Sequence, residues 1–110
     1  MTSITVFKNS KNEYVGFHTI GHAGYGKAGE DIVCAAISVL IINTMNAIDA
    51  YTEDKFSLKT DEKTGRIEFQ LKNSPSHDTT LLLDTMVLGL EAMEDNKNYE
   101  DYIDLIFEEV

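Results

Sequence analysis

Apolar positions along the chain switch between two periods. Residues 4–7, Ile-Thr-Val-Phe, are short and β-rich, and Asn9, Ser10, Lys11 and Asn12 supply turn chemistry. Residues 14–20 then alternate, with Val15, Phe17 and Thr19 on one face and Tyr14, His18 and Ile20 on the other. This pattern predicts a β-hairpin. From about Asp31 to about Tyr51 the period becomes helical. Val33, Ala36, Ile37, Leu40, Ile41, Thr44 and Ile48 form one face, and Ile32, Ala35, Val39 and Ile42 much of another. A helix apolar almost all round is buried almost all round. One side should pack on a sheet and the other on a second helix or a second subunit. Phe56 and Leu58 alternate, residues 60–65 turn, and Ile67, Phe69 and Leu71 alternate again. Lys59, Arg66, Glu68, Gln70 and Lys72 give this second hairpin a polar face.

Pro75 or Ser76 opens a second helix with Leu82, Leu83, Met86, Val87, Leu90 and Met93 on its core face. Gly89 in its middle costs about 1 kcal/mol against alanine, which suggests close contact with another helix. Residues 95–98 break this helix. Tyr99, Tyr102, Ile103, Ile106 and Phe107 then recur at helical spacing, predicting a short terminal helix. The expected architecture is a single α+β domain over residues 1–110. It has two layers, an antiparallel β-sheet with helices packed on one side. The order is β-β-α-β-β-α plus a C-terminal helix.

Composition adds limits. The chain is 43% hydrophobic and 25% charged, as ordinary globular proteins are. Nineteen acidic residues against nine basic ones give a net charge of −10. That argues against nucleic acid, whose phosphates would be repelled, and is compatible with a basic protein partner. Glu100, Asp101, Asp104, Glu108 and Glu109 concentrate acid near the end, read as a solvated helix face. The single cysteine excludes an internal disulfide and fits a reducing, cytoplasmic setting. Residues 1–10 lack the apolar core of a signal peptide. The longest apolar run, 32–42, is too short to span a bilayer, so no membrane partner is expected.

The chemistry concentrates in residues 21–38, GHAGYGKAGEDIVCAAIS, which hold four of the seven glycines, His22 and Cys34. Gly21, Gly24, Gly26 and Gly29 free the loop to take positive φ and change shape, so a flexible loop is expected. Asp31 is a good N-cap. If it caps, Cys34 lies in the first turn, where free N–H groups and the helix dipole favour a thiolate. Asp31, Cys34 and Ser38 stand at i, i+3, i+7 and share a face of an otherwise apolar helix. A polar stripe of this kind must meet water, a partner or a substrate. Cysteine as nucleophile with His22 as base is one reading. A small buried thiol in a non-catalytic binding or scaffold protein is another. Phosphate binding is disfavoured, because the glycines fit neither GxGxxG nor GxxxxGK[ST] and only Lys27 is basic. Cys34, His22, His18 and Asp31 could ligate a metal, but the sequence has no CxxC, no HxxxH and no second cysteine, so no metal site is expected. His18, in the strand, and His77, in the second helix's opening turn, read as surface residues.

GHAG, eight residues, then DIVCAAIS closely resembles the signature of the bacterial ribosomal-processing cysteine proteases, the Prp family. The match is dense over 21–38 and looser around Asn46, Ala47 and Ile48 and from Met86 to Met93. The centre of the loop, Lys27-Ala28, departs from the pattern, as does the acidic C-terminal segment. The resemblance implies that His22 and Cys34 are the catalytic pair, supported by Asp31 and Ser38, with no cofactor. It implies a homodimer. It also implies a protein substrate, the basic N-terminus of large-subunit ribosomal protein number twenty-seven, cut after an aromatic pair.

Overall fold

The computed structural model of the chain describes residues 1–21 and 28–110, and of 28–30 the backbone alone. Strand β1 (Thr2–Lys8) and strand β2 (Tyr14–Ile20) form the first hairpin. Helix α1 (Ala28–Tyr51) follows, then strands β3 (Phe56–Asp61) and β4 (Arg66–Leu71), helix α2 (His77–Glu94), a 3₁₀ turn at Glu100–Tyr102 and strand β5 (Ile103–Glu109). The five strands lie in the order β3-β4-β2-β1-β5. Val6 faces Phe17, and Phe17 faces Phe69, so one buried row crosses the sheet. Ile4, Val6, Phe17 and Phe69 on the sheet meet Val33, Ile37, Ile41 and Ile48 on α1 and Leu83, Met86, Val87 and Leu90 on α2; each is no more than 2% exposed.

The predicted hairpins and both helices are present, on one side of the sheet. Three features differ from the sequence expectation. The terminal segment is a strand, not a helix. Ile103, Leu105 and Phe107 lie opposite Thr2, Ile4 and Val6 on the core-side face, with burial falling off toward Phe107, and alternate with Asp104, Ile106 and Glu108, so spacings of three and four hid a period of two. The acids read as a helix face therefore divide between a 3₁₀ turn and a strand. Because β5 runs parallel to β1, the sheet is mixed and not antiparallel throughout. Finally, a register shift between Phe7 and Lys8 puts Lys8 opposite Tyr14, moving Tyr14 away from the face of His18. Its ring packs against the core and stacks with Phe107 at 6.2 Å. Burial, with Glu91 and Asp84 nearby, pushes the Tyr14 hydroxyl above its ordinary pKa.

Helix α1 starts at Ala28, three residues before the predicted cap. Over Asp31–Tyr51 it is long and apolar enough by composition to cross a membrane, although the shorter run 32–42 is not. Only one face of it is core, however, and not nearly the whole circumference that its apolar pattern predicts. Val33, Ile37, Ile41 and Ile48 face the sheet, and α2 lies alongside. Gly89 makes that approach close: a Cβ there would stand 2.9 Å from Leu40 Cδ2. Helix α2 begins as predicted. The Ser76 hydroxyl accepts from the Thr79 N–H, and the Asp54 carboxylate accepts from the Ser76 N–H at 2.8 Å. Hydrogen bonds from Thr79 and Ser76 hold the Asp54 carboxyl below its ordinary pKa.

Candidate active site

Between the first turns of α1 and the tip of the β3–β4 hairpin lies a groove of about 510 Å³. Cys34, Ala35 and Ser38 line it from the helix. Gly21 lines it from the end of β2, and Thr60, Asp61, Glu62, Gly65, Arg66 and Ile67 from the hairpin. The helical spacing that the sequence suggested for Cys34 and Ser38 is what turns both into one groove. Cys34 is 7% exposed, so its thiol is reached from the groove or not at all.

Gly21 ties the walls together. Its N–H donates to the Thr64 carbonyl at 3.2 Å, fastening the exit of β2 to the hairpin turn. Its φ is +119°, and a Cβ built on it would lie 2.5 Å from the Met1 carbonyl oxygen. Glycine is required here by space as well as by backbone conformation.

Two predicted details are corrected. Asp31 is not the N-cap, because α1 begins before it. Cys34 therefore lies in the second turn, where main-chain N–H groups are already committed to the helix and the dipole's effect has weakened. Gly29 belongs to the first turn of α1 and not to a loop. His22, Gly24 and Gly26 lie outside the described residues. Asp31 Oδ1 is buried and has no hydrogen-bond partner among the described residues.

The hairpin wall was missed by sequence reasoning. Residues 60–65 showed only turn chemistry, and what brings them to Cys34 is the placement of β4 beside β2. Arg66 lines the groove, but its guanidinium donates to the Glu68 carboxylate, holding that carboxyl below its ordinary pKa. His18 lies in the row Thr5, His18, Glu68, Lys59, on the face away from the helices. It cannot join Cys34 in a metal site, since the sheet stands between them. His77 is exposed at the start of α2, paired with Asp78 at 3.2 Å. Among the described residues no group of three His, Cys, Asp or Glu side chains is placed to hold a metal.

The family sequence model described as cysteine protease Prp matches residues 1–104. The chain belongs to the Prp family. The resemblance carried by residues 21–38 is thereby borne out, and the protein is a cysteine protease by family. Ribosomal processing cysteine protease Prp of Staphylococcus aureus strain Mu50 is 26% identical over 98 residues, covering 89% of this chain and 92% of that protein. The fold matches the crystal structure of S. aureus Prp with a substrate peptide at a TM-score of 0.90 and 25% identity, covering 98% of this chain and 100% of that one. It matches S. aureus Prp carrying a covalently linked product peptide at 0.86 and 26%, with the same coverage. Membership makes a proteolytic role for the groove the natural starting point.

Proposed function

We propose that this protein is an endopeptidase that removes the N-terminal extension of bacterial large-subunit ribosomal protein number twenty-seven, cutting after an aromatic pair. The observation that carries this reading is the shared groove. Cys34 opens onto it, and Gly21, the residue immediately before His22, lines it. Gly21 and Cys34 thus bracket, in the sequence, the segment whose signature resembles that of the family. The S. aureus relatives crystallised with a substrate peptide and with a covalently linked product peptide support the same chemistry.

In this reading Cys34 gives its thiol proton to His22 and its sulfur attacks the scissile carbonyl carbon. His22 then protonates the departing amine as the C–N bond breaks, leaving a thioester. His22 next takes a proton from water, whose oxygen displaces the Cys34 sulfur and releases the new carboxyl terminus. Asp31 offers a buried acceptor that can order the segment carrying His22, and Ser38 keeps the groove polar beside the sulfur. The chemistry needs no metal or cofactor. The protein acts in the cytoplasm as a homodimer joined through the outer face of α1, and its acidic charge favours a basic substrate.

The test is cleavage of a peptide spanning the extension. Cys34→Ala, Cys34→Ser and His22→Ala should each abolish turnover while leaving the far-ultraviolet spectrum and melting temperature close to those of the parent. Iodoacetamide should modify Cys34 in the native protein. Undiminished cleavage by Cys34→Ala would overturn the mechanism.

A further inference from the structure

Strand β3 is one edge of the sheet. The Lys72 N–H donates to the Lys55 carbonyl at 2.9 Å, extending the β3–β4 register one pair beyond Phe56 and Leu71. In an antiparallel ladder, hydrogen-bonded and non-hydrogen-bonded pairs alternate. Ser57, Lys59 and Asp61 therefore turn their main-chain groups toward β4, while Phe56, Leu58 and Thr60 turn theirs outward. Among the described residues nothing pairs with those outward groups. The strand has no proline, and its register with β4 runs unbroken over six residues, so it lacks those usual protections of an open edge.

Two observations identify what the edge receives. Leu58 faces Phe69 across the pair, on the core side, yet it is 46% exposed while Phe69 is 1% exposed. It lacks the cover that one more strand would give. Thr60, at the far end of the same edge, lines the groove that holds Cys34.

We infer that the substrate peptide binds in extended form as a sixth strand along the open edge of β3. Its main chain pairs with Phe56, Leu58 and Thr60. An apolar side chain covers Leu58, and the peptide is led past Thr60 to Cys34. This inference rests on the proteolytic reading of the groove. Main-chain pairing supplies affinity largely independent of side chains, and alternate side chains that meet the ledge supply selectivity.

Thr60→Pro removes an outward N–H and leaves the β3–β4 ladder intact, as proline at an edge position can. Peptide cleavage should then lose roughly tenfold in kcat/KM, mainly through KM, the size expected for one or two lost hydrogen bonds. Independently of any β3 variant, the Leu58 and Thr60 amides should slow in hydrogen exchange when Cys34→Ser protein is saturated with the peptide. Unchanged exchange at both amides would overturn the inference, as would unchanged kcat/KM in Thr60→Pro. So would protection that appears without peptide and grows with protein concentration, which would assign the edge to a second copy. These results differ from failure of the proteolytic reading itself, in which the unmodified protein would not cleave the peptide at all.

Discussion

Gly21 shows how much one missing side chain can decide. It sits at φ +119°, and any Cβ would meet the Met1 carbonyl oxygen. Gly21→Ala must both adopt an unfavourable backbone conformation and displace the start of β1. Strain of the first kind alone costs about 1–3 kcal/mol, so urea denaturation should show a loss at least that large. A substitution within 0.5 kcal/mol of neutral, about the size of an ordinary surface change, would show that the backbone relaxes freely. From the sequence, Gly21 was legible as a glycine that matters, but not for this reason. The constraint comes from Met1, which no local pattern connects to it. Cys34 and Ser38 were legible because helical spacing alone puts them on one face. Asp31 was misread as a cap because capping chemistry cannot see that α1 had already begun at Ala28.

At the level of elements, alternation and helical period were enough for the hairpins and for both helices. They failed at β5, where the two periods share most of their apolar positions, and at the bulge that turns Tyr14 over. Helix α2 offers two tests. Gly89→Ala gains about 1 kcal/mol of helix propensity, while its new Cβ presses on Leu40 Cδ2, the flexible end of a side chain. The effects oppose each other, and chemical denaturation should place the variant near neutrality. Gly89→Val, with a branched side chain at the same contact, should be clearly destabilised. Asp54 anchors the start of α2, and its carboxyl pKa is lowered in the folded protein. Its contribution is therefore complete above the unfolded carboxylate value, about 4, and is lost as pH falls through the lower folded value. Melting temperatures of the parent and Asp54→Asn should converge as pH drops below about 4; parallel curves through that range would deny Asp54 this role.

Over the whole molecule, the helix layer has an uncovered outer surface. Ile32 and Val39 on α1 are 58% and 69% exposed, and Leu81 and Leu88 on α2 are 57% and 68%. The sequence pattern had indicated more apolar surface on α1 than one sheet and one helix can cover, and the structure leaves that surface open. Large contiguous apolar patches are uncommon on monomers, and exposed apolar side chains repeated at i and i+7 on both packed helices are the ground for the proposed homodimer. Sedimentation at micromolar concentration should give about twice the chain mass of 12.3 kDa, and Val39→Asp should shift the species to one chain. A clean monomer for the parent protein would sink the proposal. The site was legible only on its helix side for a related reason. Its second wall exists because strand order places the hairpin tip beside α1, and strand order is a property of the assembled sheet.

The parallel pairing of β1 with β5 bears on how the molecule assembles in time. The two hairpins join neighbours in sequence, whereas Thr2 lies beside Ile103, near opposite ends of the chain. Closing a longer loop costs more entropy, and contacts between distant residues slow folding. The expected order is a nucleus of the hairpins and the α1–α2 contact, with β5 docking afterwards. Ile103→Val should therefore speed unfolding and leave the folding rate nearly unchanged, a φ-value close to zero, while Phe69→Leu should slow folding. If Ile103→Val slows folding in proportion to the stability it loses, the terminal strand belongs to the nucleus.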